Sequence, residues 1–284
     1  MAGFFKTALL LSILTLLTVF AGRALGGKDG MIIAFFFAVI MNFSAYWFSD
    51  RLVLAMHRAQ PLAREEAPEV FEILEELSRK AGIPPPRLYM IPSASANAFA
   101  TGRDPQHAAI ALTHGIVGLL HREELSGVLA HELSHILNRD ILLSSIVAML
   151  AGALSMTASM FRWSFFWGGE RDDHDSHHPL ALVLMAILMP LAAALIQMTI
   201  SRAREYGADV RGAALCGDPL FLASALRKID GASRKIPLRG GGPASAHLFI
   251  VNPFTSKGWS ALFSTHPSLE DRIARLESLA RSGG

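Results

Sequence analysis

Three side chains near the middle of the chain have the types and spacing of a metal site. His131, Glu132 and His135 form the pattern H-E-x-x-H within LAHELSHILN, residues 129–138. On a helix, residues four apart lie on one face, one turn apart, so both imidazoles can reach a single ion. Zinc binds such nitrogens at about 2.0–2.1 Å, and the glutamate can point toward its open position. The pattern predicts one zinc ion per chain with a glutamate base beside it.

The residues around this motif favour a helix. Glu123 and Glu124 are acids near its expected start, where the helix dipole favours negative charge. Apolar residues follow at helical spacing: Leu125, Val128, Leu129, Leu133 and Ile136. An amphipathic helix that happens to carry two histidines would show the same pattern. A zinc site therefore requires a third ligand.

The composition is that of a membrane protein. Hydrophobic residues make up 51% of the chain and charged residues 18%, whereas charged residues are about a quarter of an ordinary soluble protein. The formal net charge is only +2, which indicates no nucleic-acid partner. The single cysteine, Cys216, cannot form a disulfide within the chain, in agreement with a reducing compartment.

Four apolar runs are long enough to cross a bilayer as helices, which takes about 17–25 residues. They are residues 4–22, 31–48, 141–161 and 180–200. The first run could instead be a cleaved signal peptide, since Lys6 gives it a charged start. A second run follows after a short turn containing Gly26, Gly27 and Gly30, however, and a membrane hairpin explains both runs together.

Residues 49–140 and 201–284 are predicted to form the two parts of one water-facing catalytic domain. Short β-rich segments at 87–91, 97–101 and 108–113 predict a small sheet, and 247–251 predicts a further strand. A sheet beside the zinc helix would offer its edge to an extended peptide substrate. A purely structural hairpin would account for the same pattern.

Glu205 and Asp209 are the candidates for the third ligand and its support. They lie four residues apart in SRAREYGAD, residues 201–209, on an expected surface helix. Although 70 residues separate His135 from Glu205, residues 141–200 should form an out-and-back membrane hairpin whose ends emerge together. Two histidines and a glutamate leave zinc one position for water, as catalytic sites do. Asp209 would accept the N–H of a zinc-bound histidine, and a solvated helix face is the alternative.

Charge decides the orientation of the four predicted spans. The two short connections hold few basic residues, whereas arginines crowd the span ends on the side of the zinc motif: Arg51, Arg58, Arg64, Arg139, Arg202, Arg204 and Arg211. The positive-inside rule then places the catalytic domain and both termini in the cytoplasm. His174, His177 and His178 lie among aspartates in the second connection, which we interpret as a solvated loop rather than a metal site.

Four motifs together resemble the HtpX heat-shock membrane metalloproteases and, more distantly, the CAAX prenyl proteases. They are HELSH at 131–135, NRD at 138–140, SRAREYGAD at 201–209 and THPSLEDRI at 265–273. The resemblance implies a gluzincin-like α+β domain on the cytosolic side of the plasma (inner) membrane, carried by four transmembrane helices, that degrades misfolded or damaged membrane proteins. It also implies that His266 stabilises the transition state and that Asn97 belongs to a substrate-binding strand.

The hypothesis is hydrolysis of peptide bonds, with zinc held by His131, His135 and Glu205. Glu132 would take a proton from water and pass it to the leaving amine. The expected partners are unfolded or membrane-protein substrates and the bilayer itself. One alternative is a membrane scaffold or chaperone whose zinc only locks two helices together, in which Glu132 is dispensable. Another is a hydrolase of lipid or prenylated substrates.

Overall fold

A computed structural model of the chain describes residues 2–152, 201–236, 243–251 and 267–282. The third predicted span lies within them only as far as Gly152. The fourth predicted span, the histidine-rich loop and His266 lie outside the described residues. The described helices are α1 (Ala2–Met56), α2 (Pro68–Ala81), α3 (His114–Leu119), α4 (Arg122–Leu137), α5 (Ile141–Gly152), α6 (Arg202–Cys216), α7 (Pro219–Lys235) and α8 (Leu269–Ser282).

Helix α1 is a hairpin of two helical arms. Gly26 and Gly27 depart from helical geometry, and Gly27 has a φ of +61°, which glycine adopts without steric cost. Asn42 in the second arm donates to the Thr15 hydroxyl (2.7 Å) and the Leu11 carbonyl (3.3 Å) in the first. The two apolar runs predicted from the sequence therefore lie against each other.

The outer surface of α1 is apolar. Among the described residues, all but three of the exposed large apolar side chains lie in this helix, including Ile33 and Phe36. The arm Gly26–Met56 is long and apolar enough to cross a membrane, and Thr7–Phe20 is a shorter apolar helix. Exposed apolar surface on this scale is unusual for a protein that meets only water.

The described part of the water-facing domain contains a four-stranded sheet. Its strands are β1 (Gln60–Pro61), β2 (Arg87–Ile91), β3 (Ala98–Gly102) and β4 (Ala108–Thr113), in the spatial order β1-β2-β4-β3. β2 and β4 are parallel, and the other pairs are antiparallel. The strands predicted at 87–91 and 108–113 have these bounds, and the one predicted at 97–101 begins one residue later. β3 is an edge strand.

Helix α4 packs between the sheet and α2, α6 and α7 in the main hydrophobic core. The apolar stripe predicted for this helix is buried as expected: Leu125, Val128, Leu129, Leu133 and Ile136 are at most 3% exposed. At the start of α7, the Asp218 carboxylate caps the helix by accepting the Leu220 N–H at 2.7 Å. The apolar face of the helix that carries the zinc motif is thus held by core packing.

The strand predicted at 247–251 is wrong. The chain forms a 3-10 helix at Pro243–Leu248 and then crosses the edge of β3, where the Ile250 N–H donates to the Ala98 carbonyl at 3.1 Å. Residues 245–251 are all buried, whereas a half-buried strand alternates its faces. The apolar run fills core space between elements instead of extending the sheet.

His57 lies buried just after α1, between two aromatic rings. Its ring centroid is 5.4 Å from that of Phe99 and 5.0 Å from that of Phe249, and within the described part of the chain its Nε2 has no hydrogen-bond partner. Burial lowers the pKa of His57 to about 4 because the apolar surroundings disfavour the charged ring. The histidine is therefore neutral in the folded protein at neutral pH.

We expect His57 to make the fold sensitive to acid. Between pH 6.5 and 4 the unfolded chain takes up a proton at His57 that the folded chain excludes, so stability falls as pH falls through this window, by roughly 3 kcal/mol in full. His57→Leu should reduce the loss of unfolding free energy between pH 7 and 4.5 by about 2–3 kcal/mol. Denaturant unfolding in detergent at the two pH values measures this difference. An equal loss in both proteins would contradict the assignment.

Candidate active site

The site depends on a close approach of α6 to α4. A Cβ at Gly212 of α6 would lie 3.0 Å from the backbone nitrogen of His131 and 3.1 Å from its Cα. Glycine at this position lets the two helix backbones approach with no side chain between them. Asp209 lies about one turn before Gly212 in α6 and Glu205 about two turns before it, and both consequently reach the histidines of α4.

Three ligand atoms converge as the sequence predicts. The Nε2 atoms of His131 and His135 are 3.2 Å apart, and the Glu205 carboxylate oxygens lie 3.8 Å from the first and 3.7 Å from the second. A tetrahedral ion with bonds of about 2.0–2.1 Å needs its ligand atoms about 3.3–3.4 Å apart. The spacing and the nitrogen and oxygen donors fit zinc, and these residues form a possible His-His-Glu metal site.

Asp209 fixes the ring of His131. Its Oδ1 lies 3.0 Å from Nδ1 of His131, and both residues are buried. Burial alone would raise the pKa of Asp209, but the guanidinium of Arg272 and the His131 hydrogen bond lower it to about 2. An ionised carboxylate can only accept, so the hydrogen of His131 lies on Nδ1 and the lone pair on Nε2 faces the metal position.

Asp140 faces the second histidine more loosely. Its Oδ2 is 3.7 Å from Nδ1 of His135, and its Oδ1 is 3.5 Å from Nη1 of Arg204. The chain reaches this position because Arg139 takes a positive φ of 58° and the next helix leaves α4 at 93°. Burial would lower the pKa of His135, but Glu205, Asp140 and Glu132 raise it to about 9. The surroundings of this ring favour positive charge.

Glu132 stands beside the ligand cluster and is 2% exposed. Burial raises its pKa to about 7, with a further upward contribution from Glu205, while His135 and the backbone amide of Ala100 oppose the shift. A carboxyl group whose pKa lies near neutrality can both take up and release a proton at physiological pH. This is the property that a general acid-base residue needs.

A cavity of about 40 Å³ opens onto these groups. Its walls include both histidines, Glu132, Glu205 and Arg204, together with Ala100 of β3 and residues of the covering segment 247–250. One water molecule needs roughly 10–15 Å³ of such space. The described walls therefore leave room for an ion and a small polar group beside Glu132.

Comparison with known proteins places the chain in a family. Residues 64–280 match peptidase family M48. The chain belongs to this family. A protein named protease HtpX homolog from Persephonella marina is 51% identical over 282 residues, which covers 98% of both chains. Another protein of that name, from Pyrococcus furiosus, is also 51% identical and is covered over 96% of its length.

The resemblance to HtpX proteases read from the motifs is thereby confirmed. The crystal structure of S. mikatae Ste24p is similar in fold, with a TM-score of 0.50 and 19% sequence identity. The alignment covers 96% of this chain and 65% of that one. At this identity the similarity concerns the fold alone.

One predicted site residue of this M48 peptidase, Asn97, stands apart from the cluster. Asn97 is fully buried, and its Nδ2 donates to the Val251 carbonyl at 2.7 Å. It precedes β3, so its role toward substrate stays a prediction. His266 lies outside the described residues, and its role also stays a prediction.

Sequence reasoning gave no role to two residues that the structure places beside the histidines, Asp140 and Arg272. Both lie in motifs that carried the family resemblance, NRD at 138–140 and THPSLEDRI at 265–273. Their presence in those motifs was the available signal. Neither position could be connected to a histidine without the fold.

We expect Glu205→Ala to weaken zinc binding by at least roughly 100-fold, because loss of a group that only supports a ligand already costs about 10–100-fold. Glu75→Ala is the matched control, since Glu75 is an exposed carboxylate that pairs with Arg64 far from the site. Competition with a chromophoric chelator measures both affinities in detergent. Equal zinc affinity in Glu205→Ala and wild type would remove Glu205 from the ligand set.

Proposed function

We propose that this chain is an integral-membrane zinc endopeptidase that hydrolyses peptide bonds of misfolded or damaged membrane proteins at the cytosolic face. The observation that carries the proposal is the buried carboxyl group of Glu132 beside three converging ligand atoms. A metal that only locks helices together has no need of such a group. Membership of a peptidase family supports the same conclusion.

His131, His135 and Glu205 would hold the zinc. When bound, zinc supplies Lewis acidity, which polarises a carbonyl and makes water easier to deprotonate. Glu132 accepts the proton of the attacking water, because its buried carboxyl group lines the same cavity as the three ligand residues. The same carboxyl group then donates the proton to the departing amine. The family resemblance assigns His266 to the developing oxyanion, a contact worth about 3–4 kcal/mol at comparable sites.

The contacts of α1 support a site next to the bilayer. Arg103, directly after β3, lies over the ring of Trp47 at 4.4 Å, and Arg87 of β2 pairs with Asp50 at 3.1 Å. These contacts tie the last turns of α1 to the sheet. Tryptophan is common where a membrane helix leaves the bilayer. The sheet and the site would then lie immediately at the membrane surface.

Helix α5 provides a second link to the bilayer. It starts at Ile141, next to Asp140 of the site, and its side chains pack against both arms of α1 through Leu143, Ile146 and Val147. If the chain crosses the membrane four times as the sequence predicts, the positive-inside rule favours a cytoplasmic catalytic domain. The site is then within reach of damaged membrane proteins, and the surrounding lipid is a constant partner.

Glu132→Gln should retain zinc and lose cleavage. The amide has nearly the shape of the carboxyl group but cannot accept the proton, so we expect the turnover of an unfolded protein such as casein to fall by about 10²–10⁴-fold. The measurement uses detergent-purified full-length protein at equal, verified zinc content. Glu123→Gln, an exposed position on the same helix, is the matched control and should cleave normally.

Unchanged cleavage by Glu132→Gln would exclude this mechanism. Absence of cleavage in wild type, at full zinc content and with membrane-embedded unfolded substrates also tested, would favour the scaffold reading. Cleavage confined to prenylated or lipid substrates would favour the alternative hypothesis of a hydrolase for such substrates. A polypeptide product that appears only with Glu132 intact supports the proposal.

A further inference from the structure

Arg272 is buried at the back of the site, where its Nη2 lies 3.5 Å from both ring nitrogens of His131 and its Nη1 lies 3.9 Å from Glu205 Oε2. It is 1% exposed, although it lies in the first turn of α8. Its Nε donates to Asp209 Oδ2 at 2.9 Å, its Nη2 donates to Asp209 Oδ1 at 2.7 Å, and its Nη1 donates to the Ile250 carbonyl at 2.9 Å. The guanidinium thus holds both oxygens of one carboxylate.

Asp209 Oδ1 is shared between Arg272 and His131. The same oxygen that accepts from Arg272 at 2.7 Å lies 3.0 Å from Nδ1 of His131. Two parallel hydrogen bonds from a guanidinium fix the plane of a carboxylate. Since the plane of Asp209 sets the direction of its bond to His131, Arg272 determines indirectly where Nε2 of that histidine points.

A structural role alone explains this arrangement less well. An ion pair that only joined α8 to α6 could lie at the surface, as the pair of Arg227 and Glu277 between α7 and α8 does. Taking a guanidinium fully out of water is costly unless it is paired and hydrogen-bonded. The buried arginine instead pairs with Asp209, a carboxylate that is also hydrogen-bonded to the candidate metal ligand His131.

The second histidine, His135, also faces an aspartate and then an arginine, but the distances between these groups are longer than at His131. His135 faces Asp140 at 3.7 Å, and Asp140 faces Arg204 at 3.5 Å. Asp140 Oδ2 and Arg204 Nε are both buried, and neither has a hydrogen-bond partner among the described residues. Each histidine therefore faces an aspartate, which in turn faces an arginine. Among the described residues, short hydrogen bonds connect His131, Asp209 and Arg272, whereas the contacts of His135, Asp140 and Arg204 are longer.

We propose that Arg272 is a positioning residue for the metal site, which acts through Asp209 to hold His131 in its ligand orientation. The inference rests on the proposed function, because it takes His131 to be a zinc ligand. Arg204 has a corresponding but weaker influence on His135, since its contacts are longer. The measured quantity is zinc affinity, which requires no substrate and no turnover.

The test compares zinc affinities of full-length protein in detergent by competition with a chromophoric chelator. Arg272→Met should bind zinc about 10–100-fold more weakly, the usual range for loss of a group behind a metal ligand. Arg204→Met should lose less zinc affinity than Arg272→Met does. Arg227→Met also removes an ion pair from α8 but lies away from the site, and it should bind zinc as wild type does.

A double-mutant comparison shows whether the effect passes through Asp209. In an Asp209→Asn background, Arg272→Met should add no more than about a threefold loss, because the carboxylate it orients is already gone. An equal loss in both backgrounds would overturn the inference, as would a zinc affinity of Arg272→Met within twofold of wild type. If Arg272→Met does not fold, Arg272→Lys decides, since it keeps the charge but cannot make the two parallel bonds. A loss of fivefold or more in that variant supports the inference, and unchanged affinity overturns it.

The two proposals fail separately. Zinc binding that depends on Arg272 in a protein that cleaves nothing would leave the inference intact and contradict the proposed function. Cleavage that depends on Glu132, together with zinc affinity indifferent to Arg272, would do the reverse.

Discussion

The packing of α6 directly on the backbone of α4 is the constraint on which the site depends. Gly212 leaves no side chain between the two helices where they pass His131. A larger spacing would remove Glu205 and Asp209 from the histidines together, because both project from the same helix. One close helix contact thus brings the candidate ligand Glu205 and the supporting carboxylate of Asp209 to the H-E-x-x-H motif, although about 70 residues separate them in the chain.

Charge balance follows from this packing. Among the described residues, four acidic side chains surround the two histidines and two arginines accompany them: Glu132, Asp140, Glu205 and Asp209, with Arg204 and Arg272. Buried carboxylates need compensating positive charge. The raised pKa of His135 and of Glu132 shows the resulting preference for protons when no other cation is present. A divalent metal ion satisfies the same preference.

The sequence was informative where a local pattern decides the structure. The zinc helix follows from its apolar stripe and acidic start, and Glu205 follows from the argument that a membrane hairpin brings its ends together. Arg272 was not predictable in the same way, because a charged residue on an amphipathic helix is normally assigned to the exposed face. Its burial depends on a partner, Asp209, 63 residues earlier. The prediction of a strand at 247–251 was wrong for a related reason. The apolar side chains there fill the core through tertiary packing, and the segment does not pair as a strand.

The groups behind the two histidines are held in place by different parts of the structure. Asp209 and Arg272 lie in helices packed on the main core, and their hydrogen bonds are short. Asp140 lies at the bend where the chain leaves α4 for α5, which packs on α1 instead. In the proposed membrane arrangement, the orientation of His131 is therefore set by the catalytic domain alone. The position of Asp140, which faces His135, depends instead on the junction between that domain and the bilayer. A displacement of α5 relative to α4 would therefore move Asp140 before any other group of the site.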